Sequence, residues 1–313
     1  MRPGLRQPAR RGGGIRTALA WLLASTAAPP AAAMAPPEAS RPPATVAVVA
    51  TFPVLKDFVE QIGRDRVAVT SLLTGLESEH TYTPKPADLL ALKNARVLVQ
   101  IGLGLEVWVD GLIKNSGNPG LRIITTSQGI ALIKTPPNHP GHSLGDPHIW
   151  LDPENAKVMV RHITEGLIKT DPPGRDVYMR NQAEYLRELD QMRSELTRRL
   201  KGLRNRKIIT HHGAWSYFAR RFGFTVRDTL VPQVGTEPSA KHLARLVRLI
   251  RAEKIRVIVS EPQLNPDLPR IVAEESGAAV VVLTPIPGAI PGVDTYRSMI
   301  EYDVDRLIAA LSD

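Results

Sequence analysis

The sequence predicts an α/β fold with two lobes, each a four-stranded parallel sheet with flanking helices, joined by one long backbone helix. Short β-branched runs alternate with amphipathic segments along the chain. Continuous apolar strands alternating with helices are typical of parallel sheets that are covered on both faces. Four of the runs precede residue 130 and four follow residue 205. A length of 313 residues also favours two lobes, because single cores usually stop growing near ~250 residues.

The eight predicted strands are β-branched runs, and the clearest predicted helices lie between them. The strands are Thr45–Ala50, Val67–Leu73, Arg96–Ile101, Leu121–Thr126, Lys207–Thr210, Phe224–Leu230, Arg256–Ser260 and Ala279–Leu283. The helices include Pro53–Ile62, Ala87–Lys93, Glu106–Lys114 and Ser239–Glu253. We therefore expect an N-terminal lobe over residues 45–171 and a C-terminal lobe over residues 204–313.

A long amphipathic helix is predicted between the lobes, over residues 172–203. Pro172 and Pro173 mark its start and Gly202 its end, and the face opposite the apolar one is charged. About 27 residues would span ~40 Å, enough to cross both lobes. The apolar positions recur at intervals of three, four or seven: Tyr178, Tyr185, Leu189, Met192, Leu196 and Leu200.

The N-terminus has the pattern of a secretory signal peptide over residues 1–33, followed by a Pro/Ala-rich linker over 34–44. Five arginines precede the apolar run Thr17–Ala28, and small residues follow at Ala31–Ala33. Removing this segment takes away five arginines and no acid, which lowers the net charge from +9 to +4. The basic composition therefore gives no reason to expect a nucleic-acid partner. Arg10-Arg11 leaves both Sec and twin-arginine export open.

Several classes of protein are excluded or disfavoured by what the sequence lacks. There is no cysteine, which excludes disulfides, a Cys-ligated zinc site and a lipid-modified cysteine, and predicts a soluble exported form. Outside the signal peptide no apolar stretch approaches ~20 residues, so we expect no membrane span. The turn at Gly102–Gly104 resembles a dinucleotide-binding motif, but the third glycine of that motif is missing and no acid follows the next strand to bind a ribose. The pattern Gly141–Gly145 lacks the strand and helix of a nucleophile elbow.

Three histidines lie where a binding crevice is expected. His80 follows the second predicted strand and His212 directly follows Lys207–Thr210. His148 lies in a loop that contains prolines. Ligands of open parallel sheets bind at the carboxyl ends of the strands, and imidazole is a good ligand for transition metals. In a chain without cysteine, this placement predicts a metal site.

A set of motifs that includes these histidines carries a family resemblance. In order, they are His80–Asp88, Gly102–Trp108, Asp146–Asn155, His212–Phe218, Glu237–Ser239, Glu261–Gln263 and Asp294–Tyr296. From about Thr45 to its end the chain thus resembles the solute-binding proteins of ABC transporters that import zinc or manganese. The family's first ligand usually follows Asp-Pro, where this chain has Ser78-Glu79. Family members of the zinc type often have a long histidine-rich loop before the second ligand. In this chain that loop is short and contains only His139 and His142.

The resemblance implies a metal ion held between the lobes by His80, His148, His212 and Asp294. Asp294 is also a good N-cap for a terminal helix from Thr295 to about Leu311, so Glu261 stays the alternative fourth ligand. Three imidazoles and one carboxylate favour Zn²⁺, with Mn²⁺ or Fe²⁺ as alternatives.

The resemblance also implies the protein's setting and partners. It predicts a periplasmic, monomeric carrier that delivers the ion to a membrane permease with its cytoplasmic ATPase. It predicts no catalytic residue. A zinc-dependent hydrolase is the alternative from another class, since three histidines with an open position activate water.

Overall fold

The computed structural model describes residues 45–134, 144–232 and 235–312, and these form the predicted pair of parallel sheets. The first sheet contains β1 (Val46–Ala50), β2 (Val67–Ser71), β3 (Val97–Gln100) and β4 (Arg122–Thr125). The second contains β5 (Lys207–Thr210), β6 (Thr225–Thr229), β7 (Val257–Ser260) and β8 (Ala279–Val282). We call each sheet with its flanking helices a lobe. The predicted signal peptide, the linker, His139, His142 and the pattern Gly141–Gly145 fall wholly or partly outside the described residues.

The two sheets have the same strand order. The first runs β2-β1-β3-β4 and the second β6-β5-β7-β8. Val48 of β1 pairs with Val69 and Val97, and Ile208 of β5 pairs with Val226 and Val257. In both sheets the second strand lies on one side of the first strand and the third lies on the other. The crevice for a ligand opens at the carboxyl ends of the strands where the strand order switches sides in this way.

The helices among the described residues agree with the predicted pattern and add elements that the sequence pattern had not singled out. They are α1 (Pro53–Gly63), α2 (Pro86–Asn94), α3 (Val109–Ser116), α4 (Pro153–Thr170), α5 (Arg175–Arg199), α6 (Ser216–Phe222), α7 (Ala240–Glu253), α8 (Asp267–Ser276) and α9 (Tyr296–Leu311). No helix in this part of the chain is both long and apolar enough to cross a membrane.

Helix α3 begins three residues later than predicted, and the side chain of Glu106 explains the shift. Its carboxylate accepts hydrogen bonds from the backbone N–H groups of Ile101 and Gly102, at 2.7 and 3.0 Å, and from the hydroxyl of Thr51 at 2.8 Å. These bonds fold residues 101–106 into a tight loop. They also occupy the backbone donors that a nucleotide phosphate would need at this glycine-rich turn.

Helix α5 is the predicted long connection. It is flanked by 3-10 turns at Pro172–Gly174 and Leu200–Gly202, and its 25 residues span about 38 Å. It contacts α1 and α4 of the N-terminal lobe and also α9 at the end of the chain. All six predicted apolar positions are buried, and Asn181 joins them by donating to the carbonyl of Ile62.

A single hydrophobic cluster contains residues from both sheets and from α5. It includes Val48 and Leu98 of the first sheet, and Val257 and Leu283 in and just after strands of the second. A second cluster lies on the other face of the C-terminal sheet, under α7 and α8, and includes Ile209 and Ile258. The two lobes are therefore packed against each other through apolar side chains, so the segments that carry the predicted ligands lie close together.

Candidate metal centre

The structure brings the three predicted histidines together with one carboxylate. His80 lies in the loop after β2, His148 between β4 and α4, and His212 directly after β5. Their ring centroids are 5.3 to 5.5 Å apart. Glu79 completes the group, and one ligand atom from each of the four residues lies within 4.8 Å of the others. Both lobes thus contribute to one cluster.

Three of the separations between ligand atoms, those among Glu79, His80 and His148, suit a tetrahedral site. Nε2 of His80 and Nε2 of His148 are 3.2 Å apart. Oε1 of Glu79 is 3.4 Å from Nε2 of His148 and 3.5 Å from Nε2 of His80. Bonds of ~2.0–2.1 Å to zinc in a regular tetrahedron place the ligand atoms about 3.3 Å apart. These separations need little adjustment to accept the ion.

Two buried atoms of the cluster have no hydrogen-bond partner within the described residues. They are Nε2 of His212 and Oε1 of Glu79, which has only the longer contacts with the rings of His148 and His80. A buried polar atom without a partner costs free energy. A metal ion bound between them would satisfy both, so the donor set fits a cation.

Asp146 holds the ring of His148 in place. Its Oδ1 is 2.8 Å from Nδ1 of His148 and 3.0 Å from the backbone nitrogen of the same residue. The ring therefore donates through Nδ1 and directs Nε2 into the cluster, as metal-binding histidines do with an outer carboxylate. Tyr217 from the C-terminal lobe donates to the carbonyl of Asp146 at 3.0 Å. The Asp146-Pro-His148 turn is thus fixed from both sides.

Glu261 has the same relation to His212. It lies directly after β7, and its carboxylate is 2.8 Å from Nδ1 of His212 and accepts a 3.1 Å hydrogen bond from the indole of Trp215. Because this leaves Nε2 of His212 facing the cluster, Glu261 is an orienting residue in this geometry. It is not among the four clustered ligand residues.

The ionisation of Glu79 and His148 is coupled. Burial alone would raise the pKa of Glu79, but the neighbouring histidines, His80 first among them, hold it far below its usual range. Burial alone would lower the pKa of His148, but the hydrogen bond to Asp146 and the contact with Glu79 raise it to about 9. The metal-free site therefore combines ionised carboxylates with a protonated imidazole.

Asp294 is placed differently from the expectation. It is exposed and lies outside the cluster of Glu79 and the three histidines. The predicted N-cap is also wrong by one residue. Helix α9 starts at Tyr296, and its N-cap is Thr295, whose hydroxyl accepts from the backbone N–H of Ser298. The Ser298 hydroxyl in turn accepts from the backbone N–H of Thr295.

Glu79 is a candidate ligand that the sequence pattern did not single out. The motif of the resembled family usually has a proline at this position, so the sequence marks Glu79 only as a departure from that motif. The available signal was an acid directly before a histidine in a short turn. In the structure the indole of Trp108 donates to the carbonyl of Glu79 at 3.4 Å, and its carboxylate is buried beside His80.

His211 is adjacent to His212 but takes no part in the cluster. It is buried, and burial lowers its pKa to about 4. Its backbone carbonyl accepts from Val231. The change of direction after β5 thus sends two neighbouring imidazoles to different surroundings.

Curated relatives match most of the chain. A high-affinity zinc uptake system protein ZnuA of Bacillus subtilis is 28% identical over 77% of this chain and 78% of its own length. A manganese-binding lipoprotein MntA of Halalkalibacterium halodurans is 27% identical over 85% and 88%. An iron-binding protein YfeA of Yersinia pestis is 26% identical over 83% and 84%. The relatives thus bind different metals.

A solved structure and a family description agree with these relatives. The crystal structure of a zinc-bound deletion mutant of ZnuA is 32% identical, covers 86% of this chain and 99% of its own, and superposes with a TM-score of 0.77. The model of the family described as the periplasmic component A of the zinc-uptake complex matches residues 48–310. With this match, the two-sheet fold and the histidine cluster, the chain belongs to the ZnuA family of metal-binding solute-binding proteins.

Proposed function

We propose that this protein captures one divalent metal ion, zinc in the first place, between its two lobes and delivers it to an ABC transporter for import. The observation that carries the proposal is the convergence of ring nitrogens from three histidines and one carboxylate oxygen, from both lobes. The orienting carboxylates behind His148 and His212 are typical of sites built for a metal ion.

The donor set favours zinc over the other metals of the family. Three imidazoles with one carboxylate suit the tetrahedral preference of Zn²⁺. Mn²⁺ prefers more oxygen ligands, and Fe²⁺ is usually held by a site with further open positions. Relatives are named for manganese and for iron, so these two ions are the alternatives for the same site.

We propose His80, His148, His212 and Glu79 as the ligands, with Glu79 in the position that the sequence argument gave to Asp294. The fourth position decides between a carrier and a hydrolase, because catalytic zinc sites keep one position open for water. The carboxylate of Glu79 lies beside the histidines and can fill that position. A filled position favours a carrier without catalytic residues.

The proposal extends to the protein's location and partners. The signal-peptide pattern of residues 1–33 and the periplasmic family description support a periplasmic location. A membrane permease and its cytoplasmic ATPase are the proposed partners, since the family serves ABC transporters. A monomer is the proposed form.

Equilibrium dialysis against buffered zinc tests the proposal. We expect one zinc ion per chain. Each of the substitutions His80→Ala, His148→Ala and His212→Ala should weaken binding by more than the roughly 10- to 100-fold that loss of an outer ligand partner costs. His162→Ala is the matched control, since His162 lies on α4 and contacts the carbonyl of Gln128. Two tight sites, or wild-type binding in the three variants, would contradict the proposal.

A further inference from the structure

The loop that carries Glu79 and His80 is braced against the opposite lobe. It starts after β2 and includes Gly75, whose backbone is buried. Gly75 has a φ of +103°, and a Cβ at this position would lie 2.3 Å from the carbonyl oxygen of Pro287 in the C-terminal lobe. The loop therefore touches the C-terminal lobe five residues before His80.

The contact is reciprocal. Gly288 has a φ of +93°, and a Cβ there would lie 2.6 Å from the carbonyl oxygen of Thr74. Two backbones approach each other at a distance that excludes side chains from both. Glycine is required here both by the positive φ and by the close approach.

Gln263 adds a hydrogen bond to this contact. Its Nε2 donates to the carbonyl of Gly75 at 2.7 Å and lies 3.4 Å from the hydroxyl of Thr284. Gln263 is two residues after Glu261, which orients His212. One short segment after β7 therefore orients a proposed ligand of its own lobe and holds the loop that carries two proposed ligands of the other lobe.

The segment after β8 also contacts the segment that carries His148, the third of the proposed histidine ligands. Pro285 accepts a 2.7 Å hydrogen bond from the indole of Trp150, two residues after His148. The same segment contains Pro287 and Gly288. The segments that carry His80, His148 and His212 are thus connected through contacts outside the proposed ligands themselves.

We propose that Gly75, Gln263 and Gly288 form an interlobe clasp that positions the Glu79–His80 loop and slows release of the bound metal ion. This inference rests on the proposed function. His80 is the most exposed of the proposed ligands, at 14% against 7% or less for the other three, so an ion leaving the site passes this loop. An ion can leave only when its ligands separate, and the clasp resists movement of two of the four.

The first test removes the hydrogen bond and keeps the shape of the side chain. In the full-length protein, Gln263→Met should raise the rate constant of zinc dissociation by roughly three- to tenfold, the effect of losing one hydrogen bond. Stopped-flow capture of zinc by an excess of chelator measures this rate. The association rate constant should stay within twofold of the wild type. Gln128→Met, at an exposed glutamine, is the control and should change neither rate.

The second test uses two glycines of the same segment. Gly288→Ala and Gly292→Ala both place a side chain at positive φ, +93° and +79°, but a Cβ at Gly292 meets no atom within 4 Å. Their backbone strain is comparable, so a faster zinc dissociation in Gly288→Ala than in Gly292→Ala isolates the contact with Thr74. Equal dissociation rates in the two folded variants would overturn the clasp.

Hydrogen exchange of residues 74–81 in the metal-free protein separates this inference from the proposed function. Gln263→Met should accelerate exchange in this loop relative to Gln128→Met. If the wild type binds zinc, unchanged dissociation in Gln263→Met overturns the clasp and leaves the proposed function standing. If the wild type binds no metal, the proposed function fails. Hydrogen exchange that is equal in Gln263→Met and Gln128→Met would then overturn the positioning role of the clasp as well. A lower melting temperature with unchanged exchange and dissociation would show a merely structural contact.

Discussion

At the scale of single residues, two of the three histidines in the site have the ring nitrogen that faces away from the cluster, Nδ1, held by a carboxylate. Asp146 fixes His148 and Glu261 fixes His212. The three histidines could be predicted because each lies after a strand or in a loop containing prolines, and such positions meet at a sheet crevice. Glu79 could not be predicted in this way, because neighbouring side chains usually point apart and only the turn at residues 78–81, closed by Thr81 donating to Ser78, directs both inward.

Substitutions at Glu79 and Asp294 distinguish the two candidates for the fourth ligand. We expect Glu79→Gln to lower zinc affinity by roughly 10- to 100-fold or more, since removing even an outer carboxylate has an effect of that size. Asp294→Asn should leave affinity within about twofold, because Asp294 is exposed and outside the cluster. Competition titration with a fluorescent zinc chelator measures both. The reverse ranking would restore Asp294 as the ligand.

The pH dependence of zinc binding follows from the charge of the metal-free site. The raised pKa of His148, about 9, keeps its ring protonated at pH 7, and a metal ligand must be neutral. Zinc binding should therefore release about one proton near pH 7.5. Affinity should rise from pH 6 to pH 8.5, because the free energy needed to remove the proton from His148 falls as the pH approaches its pKa.

Isothermal titration calorimetry in buffers of different ionisation enthalpy measures this proton release. The slope of the observed enthalpy against the buffer's ionisation enthalpy is the number of protons. A slope of zero together with constant affinity between pH 6 and 8.5 would indicate a site dominated by oxygen ligands.

At the scale of helices and strands, periodicity predicted the positions of the strands to within one or two residues, and local contacts account for the larger differences. Glu106 delays α3 by folding back on Ile101 and Gly102. The sequence indicates the start of helix α4 only through the motif Asp146–Asn155. Its start is nevertheless encoded, because Asp152 caps it by accepting from Glu154 and Pro153 occupies its first turn.

Helix α9 carries a buried acid that no sequence pattern reveals. Asp303 accepts a hydrogen bond from the backbone N–H of Thr284 at 2.9 Å, while its Oδ2 makes no hydrogen bond within the described part of the chain. Burial raises the pKa of Asp303 well above its usual value. The folded protein thus keeps a proton that the unfolded chain releases above about pH 4, so this residue's contribution to stability falls as the pH rises from 4 towards the raised pKa.

We expect Asp303→Asn to stabilise the protein at pH 7, because asparagine still accepts from Thr284 and cannot ionise. The gain should be roughly 1–3 kcal/mol, the cost of one poorly satisfied buried polar group. It should shrink as the pH approaches 4. Urea unfolding at several pH values measures it, with Asp305→Asn as the control, since the Asp305 side chain on the same helix is 51% exposed. A loss of stability at pH 7 would show that the carboxyl group has an unseen favourable partner.

At the scale of the whole molecule, the two lobes have the same strand order, and the sequence showed them as two groups of four strands. What the sequence pattern could not show is how closely they are joined. The charged face of α5 was predictable, but the packing of α9 against α1 and α5 as well as β8 depends on contacts between segments far apart in the chain. Tyr296 illustrates this, because its backbone nitrogen donates to Asp57 and its hydroxyl to the carbonyl of Trp150.

The extensive packing between the two lobes predicts that they unfold together. The main hydrophobic cluster contains residues of both sheets, so exposing one lobe would also expose apolar surface of the other, and a partly unfolded state would lose much of the core. Although chains of this length often unfold through intermediates, we expect one calorimetric transition whose van't Hoff enthalpy matches the calorimetric enthalpy. Zinc should raise the temperature of this transition without dividing it into two. The bound ion adds about 4 kcal/mol to the free energy of unfolding when free zinc is ~1,000 times the dissociation constant. Two separate transitions, with only one of them moved by zinc, would mean that the lobes are independent and that the ion is held by one lobe alone.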